Sequence, residues 1–510
     1  MKTGIRKVVV LGAGTMGAQV AAHAAGQGLE VVLLDLPSPA PDRSALARRG
    51  LESLKRLRPS PLHLPEHAAL IRSGNFEDDW SSLADADWVF EAVVEDVEVK
   101  RRLFAKVAAA VKPHAIVTSN TSGLGIAAMT SHLPLEFRRR FLGTHFFNPP
   151  RYLKLLETIP GPETDPGVVG AISAFCDEVL GKGVVPAKDT PNFIANRVGS
   201  YAFGQALRAM QELDLTIEEV DYLTGPAIGR AKSATFRTAD IAGVDVCVKV
   251  WSNLYDAVPD DPEREVFSTP DFMRTMVERG WLGEKAGVGF YRKDGQQILA
   301  LDWKTLEHRE RRKANFASVE AAQSVEDVGA RILQIMGGKD KAAQFLDRVL
   351  SSTCLYAASL VPGIADDVVS VDRAMEWGYA WGQGPFLVLD ALGVAAVAGR
   401  AKAAGRPVPP LVEALPAAGR ERFYETKDGT TTVFGPSGAL PLPDRPGVLD
   451  LAAVAARGGL RKKNAGASLL DLGDGCALVE FHSKMNALGS DAIGMLATAA
   501  REAGAHLTRS

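Results

Sequence analysis

In the N-terminal part of the chain, apolar positions fall in short unbroken runs bounded by turn residues, the pattern of strands buried on both faces. Val8–Leu11 and Glu30–Leu34 are the first two runs, and Trp88–Val94, Ala115–Ser119 and Phe141–His145 continue the series. Between them the spacing takes a helical period, as over Val99–Val111. Strands alternating with helices predict a parallel, doubly wound α/β sheet whose ligand lies at the carboxyl ends of its strands. Glu95, Ser122 and His145 fall at or just after such ends, although they are distant in sequence. Beyond Pro191 the runs cease and the pattern turns helical.

Composition narrows the possibilities. At 510 residues and 46% hydrophobic, the chain exceeds one ordinary domain and can fill several cores. A net charge of -3, with no Lys/Arg tail at either end, offers no basic field to gather nucleic acid. Cys176, Cys247, Cys354 and Cys476 are scattered without CxxC spacing, so neither a metal site nor a disulfide framework is expected, and a reducing cytoplasm fits. No apolar run approaches membrane-spanning length, and Met1 leads within a few residues into the first strand, so neither a membrane anchor nor a signal peptide is expected.

The first unit carries the most specific local signal, "KVVVLGAGTMGAQVAAHAAGQGLEVVLLDL" from Lys7 to Leu36. In a strand, turn, helix unit Gly12 makes the tight turn, Gly14 lets backbone approach a pyrophosphate and Gly17 lets the helix pack on the strand. Thr15 and Met16 open that helix, whose N-terminus faces the phosphates. Asp35 ends the second strand, where a carboxylate accepts hydrogen bonds from both adenosine ribose hydroxyls and repels a 2′-phosphate. NAD is therefore expected in preference to NADP.

Three further segments carry polar residues in apolar surroundings: "SNTSGLGIAAMT", "GTHFFNPPRYLKLLETIP" and "AKDTPNFIANR". Here the chain resembles the 3-hydroxyacyl-CoA dehydrogenase family, whose motifs run SNTS, HFFNP and DTPGFI-x-NR. The resemblance implies an NAD-dependent enzyme that oxidises L-3-hydroxyacyl-CoA to 3-ketoacyl-CoA in fatty-acid β-oxidation. On that basis His145 matches the general base, and Glu157 the carboxylate that holds the imidazole in one tautomer. Ser122 and Asn196 match the polar groups around the substrate oxygen, and Asn148 a residue lining the nicotinamide side. Glu95, Lys100 and Lys285 match additional cofactor contacts, the last within "WLGEKAGVGFY", which is similar to the family's GRKTGxGFY. The family also places a helical hairpin over the coenzyme A moiety, and "RRGLESLKRLRP" (Arg48 to Pro59) stands there with five basic residues, but without the family's lysine near Ser60.

Taken singly, each residue has a plainer reading. His145 can be a satisfied core histidine, Glu157 an ion-pair partner, Asn196 a helix cap and Ser122 a turn former. A β-hydroxyacid dehydrogenase shares the glycine turn but uses a lysine acid and lacks HFFNP. The motifs also admit a 3-hydroxybutyryl-CoA dehydrogenase working in the biosynthetic direction, or a catalytically quiet NAD-binding assembly subunit.

The helical region repeats. The stretch "NRVGSYAFGQALRAMQEL", with "EEVDYLTGPAIGRAKSATFRTADIAGVDV" after it, has a related copy about 150 residues later. Arg197 and Val198 match Arg348 and Val349, Asp221 matches Asp372, and Phe236 and Asp240 match Phe386 and Asp390. Asp347 stands where the first copy has Asn196, and no second glycine turn precedes it, so the second copy reads as structural. Simpler members of the family pair two chains through the single helical domain, which makes either a pseudo-dimeric monomer or a homodimer the expected state. Arg420–Asn464, with "DGTTTVFGPSG" and "PLPDRPG", reads as a connector. The segment from Asn464 resembles the opening strands and first helix of a crotonase-type enoyl-CoA hydratase domain, cut short, so hydratase activity is not expected. The order is that of fused bacterial fatty-acid oxidation enzymes with the dehydrogenase first, and a thiolase is a partner the resemblance admits. The resulting division is a Rossmann domain over 1–188, a helical dehydrogenase C-terminal domain over 189–295, a degenerate second copy over 296–419, a linker over 420–463 and the partial crotonase segment over 464–510.

Overall fold

The computed structural model describes residues 4–427, 430–443, 447–483 and 486–506. It forms two compact units, Met1–Glu421 and Arg422–Ser510. The first unit opens with β1 (Lys7–Leu11), α1 (Thr15–Ala25), β2 (Glu30–Asp35), α2 (Ala45–Leu54), β3 (Ile71–Asn75), β4 (Trp88–Glu91) and α3 (Val97–Ala110). There follow β5 (Ile116–Ser119), the short α4 (Ile126–Thr130) and α5 (Leu135–Arg138), β6 (Phe141–Phe146), β7 (Leu155–Pro160), α6 (Pro166–Glu178) and β8 (Gly183–Pro186). The strands make one sheet of order β3-β2-β1-β4-β5-β6-β7-β8.

Strands β1 to β6 are parallel, as the sequence pattern predicts, but β7 pairs antiparallel with β6 and β8 then follows β7. No helix intervenes between Phe146 and Leu155, and without a crossover the chain returns as a hairpin. Strand β3, "IRSGN", escapes the pattern because it lies at the sheet edge and carries few apolar residues. The centre is dry. Val8, Val10, Val31, Leu33, Trp88 and Phe90 on one face, and Val9, Val32 and Val89 on the other, are fully buried, each large side chain contributing roughly 2–3 kcal/mol, and this burial on both faces explains the unbroken apolar runs.

After the sheet come α7 (Ala195–Glu212), α8 (Ile217–Thr224), α9 (Phe236–Ala242), α10 (Val244–Ala257) and α11 (Asp271–Glu278). A small antiparallel sheet of β9 (Tyr291–Asp294), β10 (Gln297–Asp302) and β11 (Glu307–Glu310) separates them from the second set of helices, and residues 295–296 form the β9–β10 turn. The second set is α12 (Ala317–Ala321), α13 (Val328–Met336), α14 (Lys341–Leu346), α15 (Ser352–Leu360), α16 (Val368–Gly378), α17 (Pro385–Leu392), α18 (Val394–Ala403) and α19 (Pro410–Ala417).

The two sets use one capping device twice. The Asp221 carboxylate accepts from the backbone N–H groups of Thr235 and Phe236 at the start of α9, and Asp372 does the same for Phe386 and Leu387 at the start of α17. Gly243 (φ 102°) joins α9 to α10 and Gly393 (φ 80°) joins α17 to α18. The copies diverge where it matters for chemistry. Asp347 lies within a continuous helical run, in a π turn between α14 and α15, and holds Ser351 and Arg400, whereas Asn196 stands in the first turn of α7. Helices α7 and α15 pack on each other, with Tyr201 stacked on Tyr356 at 3.8 Å between ring centroids.

The second unit begins with a three-stranded antiparallel sheet, β12 (Tyr424–Lys427), β13 (Thr430–Gly435) and β14 (Gly438–Pro441). The stretch read as a connector is therefore folded. Its threonine-rich strands bury little beyond Val433 and Phe434, which is why the apolar pattern does not reveal them. Next come α20 (Leu451–Val454), the antiparallel β15 (Leu460–Lys463), β16 (Ala467–Gly473) and β17 (Cys476–Phe481), and α21 (Ser490–His506), whose Met495 packs on Ala467 and Leu469. Asp428 and Gly429 of the first turn-rich motif, Asp444–Pro446 of the second, and Lys484, Met485 and residues 507–510 of the last segment lie outside the described residues. Among the described residues no helix is long and apolar enough to cross a membrane.

Candidate active site

The glycine turn has the shape a dinucleotide needs. Gly12 takes φ 100°, and a Cβ there would lie 2.4 Å from the Ala92 carbonyl oxygen. A Cβ on Gly17 would lie 1.9 Å from the Gly12 carbonyl oxygen, so α1 packs on its strand only with glycine. Around Gly14 there is open space, and α1 has no side-chain cap at its N-terminus. The first-turn N–H groups at Thr15 and Met16 are thus available to a phosphate. Asp35 sits beside this turn: one oxygen accepts from Ala13 N (2.7 Å) and the other from Leu36 N (2.6 Å). Each oxygen keeps a second lone pair for a ribose hydroxyl. The residues present fit NAD.

At the far side of the crevice His145 (3% exposed) and Glu157 (fully buried) are direct cross-strand partners on β6 and β7. His145 Nδ1 lies 2.7 Å from Glu157 Oε2. The other carboxylate oxygen accepts from Ile194 N (3.1 Å) and Ala195 N (2.8 Å) at the N-terminus of α7. Both oxygens therefore act as acceptors, so Nδ1 carries the shared proton and Nε2 is left with its lone pair. No described hydrogen bond uses Nε2, and it is not sealed from solvent. Phe147 and Phe193 flank the imidazole, at 4.4 and 5.8 Å between centroids.

The segment that delivers the two N–H groups is strained. Asn192 (φ 61°) and Phe193 (φ 52°) are consecutive left-handed residues without being glycine, each conformation costing about 1–2 kcal/mol. Asparagine stands here where the DTPGFI motif has glycine, and it is the side chain that best tolerates that conformation. Its carboxamide packs against Gly123, in the loop after Ser122.

Ser122 and Asn196 come together. Asn196 Nδ2 points to the Ser122 carbonyl at 3.5 Å, and Asn196 Oδ1 receives the hydroxyl of Tyr379 at 3.0 Å. The Ser122 loop is in turn fixed by Glu95, which accepts from Thr121 Oγ1 (2.6 Å) and Ser122 N (2.8 Å). Lys100, 1% exposed, lies behind this loop between Glu91 (2.6 Å) and Glu95 (3.3 Å), and so acts on the site through Glu95. Asp189 caps α4 by accepting from Ile126 N and Ala127 N, tying the "DTPNF" segment to the serine loop. Asn148 is exposed and accepts from Gln19 Nε2 at 3.0 Å, which links the HFFNP loop to α1. Beneath that loop the buried Lys182 donates to the carbonyls of Pro150 (2.6 Å) and Leu153, and burial lowers its ammonium pKa to about 8. Lys285 pairs with Asp245 on α10, and no described contact joins it to the His145 cluster. The basic segment forms α2 followed by a 3-10 turn at Pro65–Leu70 in place of a two-helix hairpin; Arg48 pairs with Asp42 and Lys55 with Glu52. The sequence pattern gives no role to Glu91, Asp189, Lys182 or Tyr379, although Asp189 stands within "AKDTPNFIANR". Only the charge of the first three hinted at a role.

Fold and site together define a Rossmann-type dinucleotide-binding protein with a histidine–carboxylate pair at the carboxyl ends of its strands. Residues 7–190 match the model of the 3-hydroxyacyl-CoA dehydrogenase NAD-binding domain, and residues 193–293 that of the C-terminal domain. The chain is 43% identical over 96% of its length to a probable 3-hydroxyacyl-CoA dehydrogenase of Bacillus subtilis, and spans 64% of that relative. It is 48% identical over 57% of its length to a probable 3-hydroxyacyl-CoA dehydrogenase of Deinococcus radiodurans, covering 83% of that protein. The fold is shared with the crystal structure of 3-hydroxybutyryl-CoA dehydrogenase from Escherichia coli, at TM-score 0.60 and 22% identity over 80% of this chain and 98% of that one. The chain belongs to the 3-hydroxyacyl-CoA dehydrogenase family.

Proposed function

We propose that this chain oxidises L-3-hydroxyacyl-CoA thioesters to 3-ketoacyl-CoA with NAD, in fatty-acid β-oxidation. The observation that carries the reading is the 2.7 Å contact between His145 Nδ1 and a Glu157 carboxylate whose other oxygen is held by two backbone N–H groups. When bound, NAD supplies the acceptor for the hydride that leaves the substrate carbon. His145 takes the hydroxyl proton at Nε2, and Glu157 fixes the ring and stabilises the imidazolium that results. Asn196 and Ser122 supply donors to the substrate oxygen as it gains negative charge. Gly14, Thr15 and Met16 hold the pyrophosphate and Asp35 the ribose, while Glu95 and Asn148 bracket the nicotinamide side. Basic residues on and after α2 meet the coenzyme A phosphates. The four free cysteines fit a cytoplasmic location, and the packing of α7 on α15 fits a pseudo-dimeric monomer.

The test is NAD reduction, followed as NADH absorbance, over 3-hydroxyacyl-CoA esters of increasing length. Turnover with at least one ester is expected, and silence across the series overturns the reading.

A further inference from the structure

One side chain of the second helical copy reaches the candidate site. At the end of α16, Tyr379 N and Trp381 N both donate to the Met375 carbonyl, and Ala380 between them takes φ 52°. That left-handed alanine costs about 1–2 kcal/mol, so the turn is held by its surroundings. Trp377 packs over Gly183 of β8, where a Cβ would lie 2.3 Å from its ring, and Gly378 sits against Leu155 of β7. Tyr379 itself covers Gly199 of α7, where a Cβ would lie 2.4 Å from Cζ, and stands 6.3 Å from the ring of Phe147, the neighbour of His145.

The orientation of Asn196 follows from its two partners. The Ser122 carbonyl can only accept, so the amide nitrogen faces it and Oδ1 faces Tyr379, whose hydroxyl must donate. Burial raises the pKa of that phenol, which keeps it a donor at any working pH. The Ser122 contact, at 3.5 Å, is too long to hold the amide alone. Without the tyrosine hydroxyl, only that long contact is left to keep the amide nitrogen, rather than its oxygen, toward the substrate.

We propose that Tyr379 is a positioning residue that locks the Asn196 amide with its nitrogen toward the substrate oxygen, so that the second helical copy completes the site built by the first. This rests on the reading in which Asn196 meets that oxygen. It also amends the view of the second copy as purely structural.

The test is Tyr379→Phe, which keeps the ring over Gly199 and removes only the donor. Binding of acetoacetyl-CoA, which carries the 3-oxygen, is compared by calorimetry with binding of butyryl-CoA, which lacks it. Tyr379→Phe is expected to weaken acetoacetyl-CoA about tenfold and lower kcat about tenfold, leaving butyryl-CoA binding, the KM for NAD and the melting temperature unchanged. In an Asn196→Ala background the same change is expected to have no further effect. A Tyr379→Phe variant with undiminished preference for acetoacetyl-CoA and undiminished kcat overturns the proposal, as does an equal loss in the Asn196→Ala background. A wild-type protein that does not distinguish the two thioesters overturns the reading of Asn196 itself, and the proposal with it.

Discussion

Glu157 lies directly opposite His145 on β7, the strand that turns against the parallel run of the sheet, and their side chains meet at 2.7 Å. Direct partners in an antiparallel pair project to the same face, so the reversal of β7 is what brings the acid to the base.

Glu157→Gln is expected to lower kcat for NAD reduction roughly 10²–10⁴-fold, because a carboxamide can present an N–H to Nδ1 and favour the wrong tautomer. His145→Gln is expected to lose at least as much. NADH binding, read by fluorescence titration, is expected to survive both changes. Glu157→Ala adds a stability loss of about 1–3 kcal/mol, seen in denaturant melts, since Ile194 N and Ala195 N lose their partner in a buried place.

Asp35→Ala is expected to narrow the preference for NAD over NADP, measured as the ratio of kcat/KM values. The loss on the NAD side is expected to exceed the ribose contact alone, because Asp35 also fixes the glycine turn through Ala13 N. Equal use of both cofactors by the wild type contradicts the ribose argument.

Lys100→Met is expected to destabilise the protein by about 3–5 kcal/mol in denaturant melts, since Glu91 would keep a fully buried charge without its ammonium partner. Adding Glu91→Gln is expected to recover part of the loss. An unchanged melting midpoint for Lys100→Met rules out the buried pair.

His23, buried on α1, donates Nε2–H to the Leu180 carbonyl at 2.9 Å, and burial lowers its pKa to about 4 from the usual 6.5. Between those values the unfolded chain holds a proton that the folded chain lacks. Its contribution, at most about 3 kcal/mol, is therefore complete above pH 6.5 and lost progressively as pH falls toward 4. His23→Gln is expected to shrink the difference in melting temperature between pH 7 and pH 5, and an unchanged difference counts against this burial effect.

What the sequence made legible is what depends on local pattern. Val8–Leu11, the three glycines and Asp35 form one contiguous device, and each has its own steric or electrostatic reason visible in residue order. The repeat was legible through Asp221 and Asp372 because a capping carboxylate and the helix it caps are near neighbours in sequence. Strand β3 was not, since an edge strand with a glycine and three polar residues has too few apolar positions to leave a run. The antiparallel return of β7 hinged on the absence of a crossover helix, which apolar runs do not report. Tyr379 was the most remote: its bond to Asn196 spans 183 residues, and an isolated tyrosine after a helix carries no pattern.

The stacking of Tyr201 on Tyr356 joins two helices tethered along one polypeptide, so their encounter is unimolecular, at an effective concentration on the order of millimolar. Dilution cannot part them. Specific activity should hold constant down to nanomolar enzyme, where an interface of modest affinity between separate subunits would dissociate.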